Sequence, residues 1–193
     1  MIMRIRFLAV TFLLAAQGVM AQPAQIILFR HGEKPEDPEA VHLSKAGEKR
    51  AKELVPFLTT DPELTKHGLP VALYATRTTR HGHGQRTQET IAPLSAQLHI
   101  PIESPYLSEE YAELAKSILA NPKFHGKTVL ICWTHEFIPQ LATALGVQPQ
   151  PPKWKDSVYD RIYLISYHQG HATLTDLPQN FSGAEHSGKK KHQ

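Results

Sequence analysis

The sequence predicts an α/β protein: a three-layer sandwich with a mainly parallel central sheet flanked by helices. Three observations predict it. Short apolar runs such as QIILF (25–29) and TVLICW (128–133) show no polar alternation, as expected of strands buried on both faces. Segments with apolar residues at helical spacing stand between such runs, which implies βαβ units. The chain has 193 residues, 41% of them hydrophobic and 20% charged, enough for one domain with a substantial core.

The elements follow in order. QIILF is the first strand. HLSKAGEKRAKELVPFL (42–58) offers Ser44 as an N-cap and Ala51, Leu54, Val55 and Leu58 on one helical face. Pro56 is expected to kink or end that helix. PVALYA (70–75) is a second strand, and QRTQETIAPLSAQL (85–98) a helix interrupted by Pro93. In LSEEYAELAKSILANP (107–122), Leu107, Tyr111, Leu114, Ala115 and Ile118 share a face. Ser108 is the expected cap there, with Glu109 and Glu110 in the first turn. TVLICW is a buried strand carrying the sole cysteine, Cys132, as a buried inert thiol. EFIPQLATALG (136–146) is a helix with Pro139 early and Gly146 at its end. DRIYLISY and HATLTDL form a closing hairpin about Gln169-Gly170.

The ends of the chain read differently. Arg4 and Arg6 precede an apolar run over 7–16, and Val19-Met20-Ala21 has the small residues of a cleavage site. Residues 1–21 are therefore expected to be a secretory signal peptide, too short in its apolar part for a comfortable membrane span. Residues 22–181 form the expected domain, and 182–193 a disordered basic tail. Cleavage removes two of 21 basic residues and none of 18 acidic ones, so the remainder is close to neutral. That charge does not suggest a nucleic-acid surface, and because no other segment could span a membrane, no stable membrane association is expected after cleavage.

Chemistry gathers at the strand ends, where open parallel sheets bind ligands. The first strand runs into Arg30-His31-Gly32, TVLICW into Thr134-His135, and VALYA into a stretch holding Arg77, Arg80 and Arg86. Histidine and arginine thus converge on one edge, which suits a small anion.

LFRHGEK resembles the Arg-His-Gly signature of the histidine phosphatase (phosphoglycerate mutase-like) superfamily. QRTQETIAPLSAQL resembles that family's second arginine block, and TVLICWTHEFIPQLATALG its third. The three occur in the family's order over about residues 25–146. The resemblance implies a phosphoglycerate mutase-like fold, with His31 as the nucleophile forming a phosphohistidine. It also implies that Arg30, Arg86 and His135 bind the transferring phosphoryl group. Where many family members have a Ser-Pro pair before the second arginine, this chain has YATRTTRHGHGQR. Arg80 fits the family position by distance from the strand; Arg86 fits by its place before Thr87-Gln88-Glu89-Thr90 and is favoured, because the helix sets its direction. A general acid is sought at Glu109 or Glu110, and Lys34 is a further substrate contact.

The chemistry agrees. Neutral imidazole is available near pH 7, arginine is a forked permanent donor for phosphate, and the N–P bond is labile to water. No cofactor or metal is required. Gly32 is expected to let the backbone pass close to the phosphate. The expected partner is a small phosphorylated substrate, and the expected activity is an exported phosphomonoesterase rather than a mutase. Trp154 and Tyr159 are candidates for the pocket or for packing. Two other readings compete: a periplasmic metal-binding protein using His81 and His83 among 12 histidines, and a non-catalytic phospho-ligand binder on the same fold.

Overall fold

The computed structural model describes residues 22–37, 39–179 and 181. The expected signal peptide and basic tail lie outside them. A six-stranded sheet runs through the middle in the order β3-β2-β4-β1-β5-β6. Its strands are β1 (Gln25–Arg30), β2 (Pro70–Ala75), β3 (Ile102–Glu103), β4 (Thr128–Trp133), β5 (Arg161–His168) and β6 (His171–Pro178). The first four are mutually parallel, and the β5–β6 hairpin is added antiparallel to β1.

Every residue of β1 and β4 is buried, which explains their unbroken apolar composition. Successive side chains point to opposite faces. Ile26 and Leu28 join the core under α4 (Tyr111–Leu119) and α5 (Ile138–Ala144). Ile27 and Phe29 join the core under α1 (Lys45–Thr60), α2 (Pro62–Thr65) and α3 (Gln85–Leu98). These are the three expected layers. Among the described residues no helix is long and apolar enough to cross a membrane.

Ser44 caps α1, accepting the Gly47 N–H at 3.1 Å, an interaction worth about 1 kcal/mol. Pro56 does not end α1, which continues to Thr60, and α3 spans Gln85–Leu98 as expected, with Pro93 inside it and no break in the helix. An interior proline costs roughly 3 kcal/mol. Leu54 and Leu58, on either side of Pro56, are fully buried and contribute roughly 1.5–3 kcal/mol each. Packing therefore outweighs the break. The start of α4 also differs: Ser108 is not its cap, the helix begins at Tyr111, and Glu109 and Glu110 precede it. The Ser108 carbonyl instead accepts the Trp133 indole N–H at 3.0 Å, tying this approach segment to the end of β4.

Candidate active site

The parallel register sets Arg30 beside Trp133. His31 extends the ladder, its N–H donating to the Trp133 carbonyl at 3.3 Å. His31 and the Thr134-His135 step are thereby brought to the same sheet edge. There a cavity of about 360 Å³ is lined by Arg30, His31, Lys34, Arg86, Glu109 and His135, together with Arg77, Thr79, His83 and Glu136.

His31 is 5% exposed. Its Nδ1 lies 2.7 Å from the Gly32 carbonyl oxygen. A carbonyl only accepts, so Nδ1 carries the proton and Nε2 keeps its lone pair. Burial, and then the nearby Arg30, Arg86 and His135, push its pKa down to about 3. The imidazole is neutral across the physiological range.

Arg30 is 1% exposed. One terminal nitrogen, Nη1, donates to the carbonyls of Asp156 at 2.6 Å and Val158 at 3.2 Å. Nη2 donates to the Tyr159 hydroxyl at 3.2 Å, and the guanidinium lies 3.9 Å from the centre of that ring. Of five N–H groups, three are thus engaged. Nε is buried and has no partner among the described residues, and an orphaned cationic donor of this kind calls for an anionic acceptor. Tyr159 therefore serves Arg30, while Trp154 is fully buried against Tyr163 and is packing.

Arg86 is placed by the α3 N-terminus. Gly84 precedes it with φ of 92°, and a Cβ there would sit 2.5 Å from the Arg77 carbonyl oxygen, so only glycine makes this turn. The Thr87-to-Thr90 block stitches α3 to its neighbours. Thr87 Oγ1 accepts the Thr76 N–H at 3.1 Å, and Gln88 donates to the Thr76 carbonyl at 3.0 Å. Glu89 accepts the Leu43 N–H at 2.9 Å, and Thr90 Oγ1 accepts the Gly32 N–H at 2.9 Å. The last bond fixes the loop after His31 against the helix carrying Arg86. Arg86 itself donates to the Ala40 carbonyl at 2.7 Å. Arg80 is exposed and does not line the cavity.

The remaining expectations divide. Lys34 is exposed at the cavity rim, and Glu109 borders it. Glu110 does not; its carboxylate accepts the Leu107 N–H at 2.7 Å and pairs with Arg77 at 3.3 Å, holding the turn before α4. Gly32 serves packing: a Cβ there would lie 3.0 Å from the Cα of Gly47 in α1, so its missing side chain admits a helix backbone rather than a ligand. The sequence did not single out Glu136, and it placed Arg77 at this edge without giving it a role. The signals available were a carboxylate directly after a strand-end histidine and an arginine two residues past the end of β2. Among the described residues no group of three or more His, Cys, Asp or Glu is arranged to hold a metal ion.

Comparison with solved structures gives the fold a name. The chain has a phosphoglycerate mutase-like fold. Bacillus stearothermophilus YhfR is 16% identical, with TM-score 0.54, covering 78% of this chain and 94% of its own. A candidate alpha-ribazole-5'-P phosphatase from Escherichia coli K-12 is 14% identical, with TM-score 0.55, covering 80% and 96%. Phosphoglycerate mutase from Bacillus anthracis is 13% identical, with TM-score 0.50, covering 82% and 94%. At these identities the likeness is one of fold. No family model and no curated protein sequence matches the chain.

Proposed function

We propose that this protein is an exported phosphomonoesterase that hydrolyses small phosphorylated compounds through a phosphohistidine on His31. One observation carries the reading: a buried imidazole held neutral, with Nδ1 committed to a carbonyl and Nε2 without a hydrogen bond to any of the described residues, in a cavity edged by Arg30, Arg86 and His135. In the first step the Nε2 lone pair attacks phosphorus and the P–O bond to the alcohol breaks. The leaving oxygen takes a proton from a carboxyl group, for which Glu109 and Glu136 stand at the cavity. Water then attacks phosphorus and gives its proton to that carboxylate, and the P–N bond electrons return to Nε2. Cationic donors stabilise charge on the phosphoryl oxygens in both steps.

The test is rapid quenching with ³²P-labelled aryl phosphate. An acid-labile, base-stable phosphoenzyme should form and be absent from His31→Ala; full turnover in that variant sinks the covalent route. Export rests on residues 1–21. N-terminal sequencing of the processed protein should begin at Gln22, and a cytosolic protein beginning at Met1 would refute it.

A further inference from the structure

The loop before β5 reaches the site through one residue. The Asp156 carbonyl accepts from Arg30 at 2.6 Å, and its carboxylate lies 3.1 Å from His135 Nε2. Nothing in the reading of the Arg-His-Gly, arginine and second-histidine segments assigns this residue a part. Asp156 is not a lining residue of the cavity, and its side chain is 76% exposed while that of His135 is 14% exposed. The carboxylate therefore meets the imidazole from outside the pocket.

A carboxylate only accepts, so His135 donates through Nε2. Its other ring nitrogen, Nδ1, is buried and has no partner among the described residues. With Nε2 committed, Nδ1 is the nitrogen left for a phosphoryl oxygen. We infer that Asp156 is a positioning residue for the proposed hydrolysis: it fixes the His135 ring by its carboxylate and the Arg30 guanidinium by its carbonyl, setting two phosphate donors from one point of the chain. The inference rests on the phosphomonoesterase reading.

Charge supports the geometry. Burial lowers the His135 pKa and Arg30 lowers it further, while Asp156 and the neighbouring Glu136 oppose them. The net direction for His135 is downward; its interaction with Asp156 in turn lowers the Asp156 pKa, as pairing and a donated hydrogen bond favour the charged carboxylate. His31 also faces His135 but is neutral. Asp156 and Glu136 are thus the two acids favouring protonated His135, and protonated His135 is the better phosphate donor.

Asp156→Asn keeps the backbone carbonyl and an acceptor oxygen but loses the charge. Asp156→Ala loses both side-chain functions. Because the side chain is exposed, both variants should keep the wild-type melting temperature. Two quantities decide: kcat/KM for an aryl phosphate against pH, and the His135 titration midpoint by ¹⁵N NMR with and without inorganic phosphate. In Asp156→Asn the alkaline limb and the midpoint should both move down by about half to one pH unit. A role confined to folding moves neither. Asp156→Ala should in addition lower kcat/KM by about 10-fold or more at the optimum, because the ring loses its orienting partner. A wild-type protein inactive on every phosphomonoester defeats the phosphatase reading itself. An active wild type with an unshifted His135 midpoint in Asp156→Asn, or unchanged kcat/KM in Asp156→Ala, overturns the role of Asp156 alone.

Discussion

Holding His31 neutral has a consequence for stability that can be measured without a substrate. In the unfolded chain its imidazole takes up a proton near pH 6.5; in the folded protein it resists until about pH 3, chiefly because it is buried. Between those values the unfolded state binds the extra proton, so stability is fully present above pH 6.5 and falls as the pH drops. The slope for one proton is about 1.4 kcal/mol per pH unit. At about pH 4.5, two units into the window, the loss from this residue is about 3 kcal/mol, a large part of a typical 5–15 kcal/mol. The perturbation is His31→Gln, which cannot titrate, and the assay is urea unfolding at about pH 7 and about pH 4.5. Other titrating groups, His135 included, are present in both proteins and cancel. Wild type should lose about 3 kcal/mol more than the variant on acidification; equal losses refute the claim that His31 is held neutral by the fold. The same depression means that His31, as the proposed nucleophile, needs no deprotonation. An acid limb of kcat/KM with a midpoint near 6.5 therefore should not belong to His31.

Three further outcomes follow from the placement of individual side chains. Arg86→Ala should lower kcat/KM by about 100-fold or more, since it removes a charge-assisted donor; Arg80→Ala, at an exposed position off the cavity, should cost much less, and the reverse ranking would show that the wrong arginine has been chosen. If Glu109 or Glu136 protonates the leaving oxygen, its Gln variant should lose about 100-fold on an alkyl phosphate while an activated aryl phosphate is largely spared. Glu110→Gln should leave that ratio unchanged, because Glu110 is engaged with the Leu107 N–H and Arg77.

The sheet was legible because burial on both faces leaves a strong compositional trace. QIILF and TVLICW admit little but apolar residues, and their strand bounds match the expectation to within one residue. The helices were less so, for a physical reason. Local rules stop a helix at Pro56 or Pro93, but Leu58 and Leu94 lie beyond those prolines and are buried against the sheet, so tertiary packing carries both helices past them. The α4 boundary failed for a related cause. Ser108, Glu109 and Glu110 look like a capped first turn, yet the Trp133 indole takes the Ser108 carbonyl from a strand 25 residues away. No local pattern encodes that bond. Gly32 misled in the same way, since the backbone its missing side chain admits belongs to α1 and not to a ligand.

The same distinction divides the site. His31, His135 and Arg86 could be found because each stands at a boundary that the sequence marks: a strand end, a strand end and a helix start. What gives them their chemistry cannot be read that way. His31 takes its tautomer from the carbonyl of the next residue, but its low basicity comes from burial, from the adjacent Arg30 and from Arg86 and His135 on two other segments. Arg30 is held by a loop more than 120 residues downstream, in which the sequence marks Trp154 and Tyr159 but gives no sign of the backbone carbonyls at 156 and 158. That loop is where a change distant in sequence should alter the reaction while leaving the strand-end residues in place. A chain that kept Arg30, His31, Arg86 and His135 but lost the acceptors at 156–159 would expose the Arg30 guanidinium to water and free the His135 ring. It would retain the motif and, on the proposed reading, lose the preorganisation of two phosphate donors, which is why the loop as well as the motif bears on that proposal.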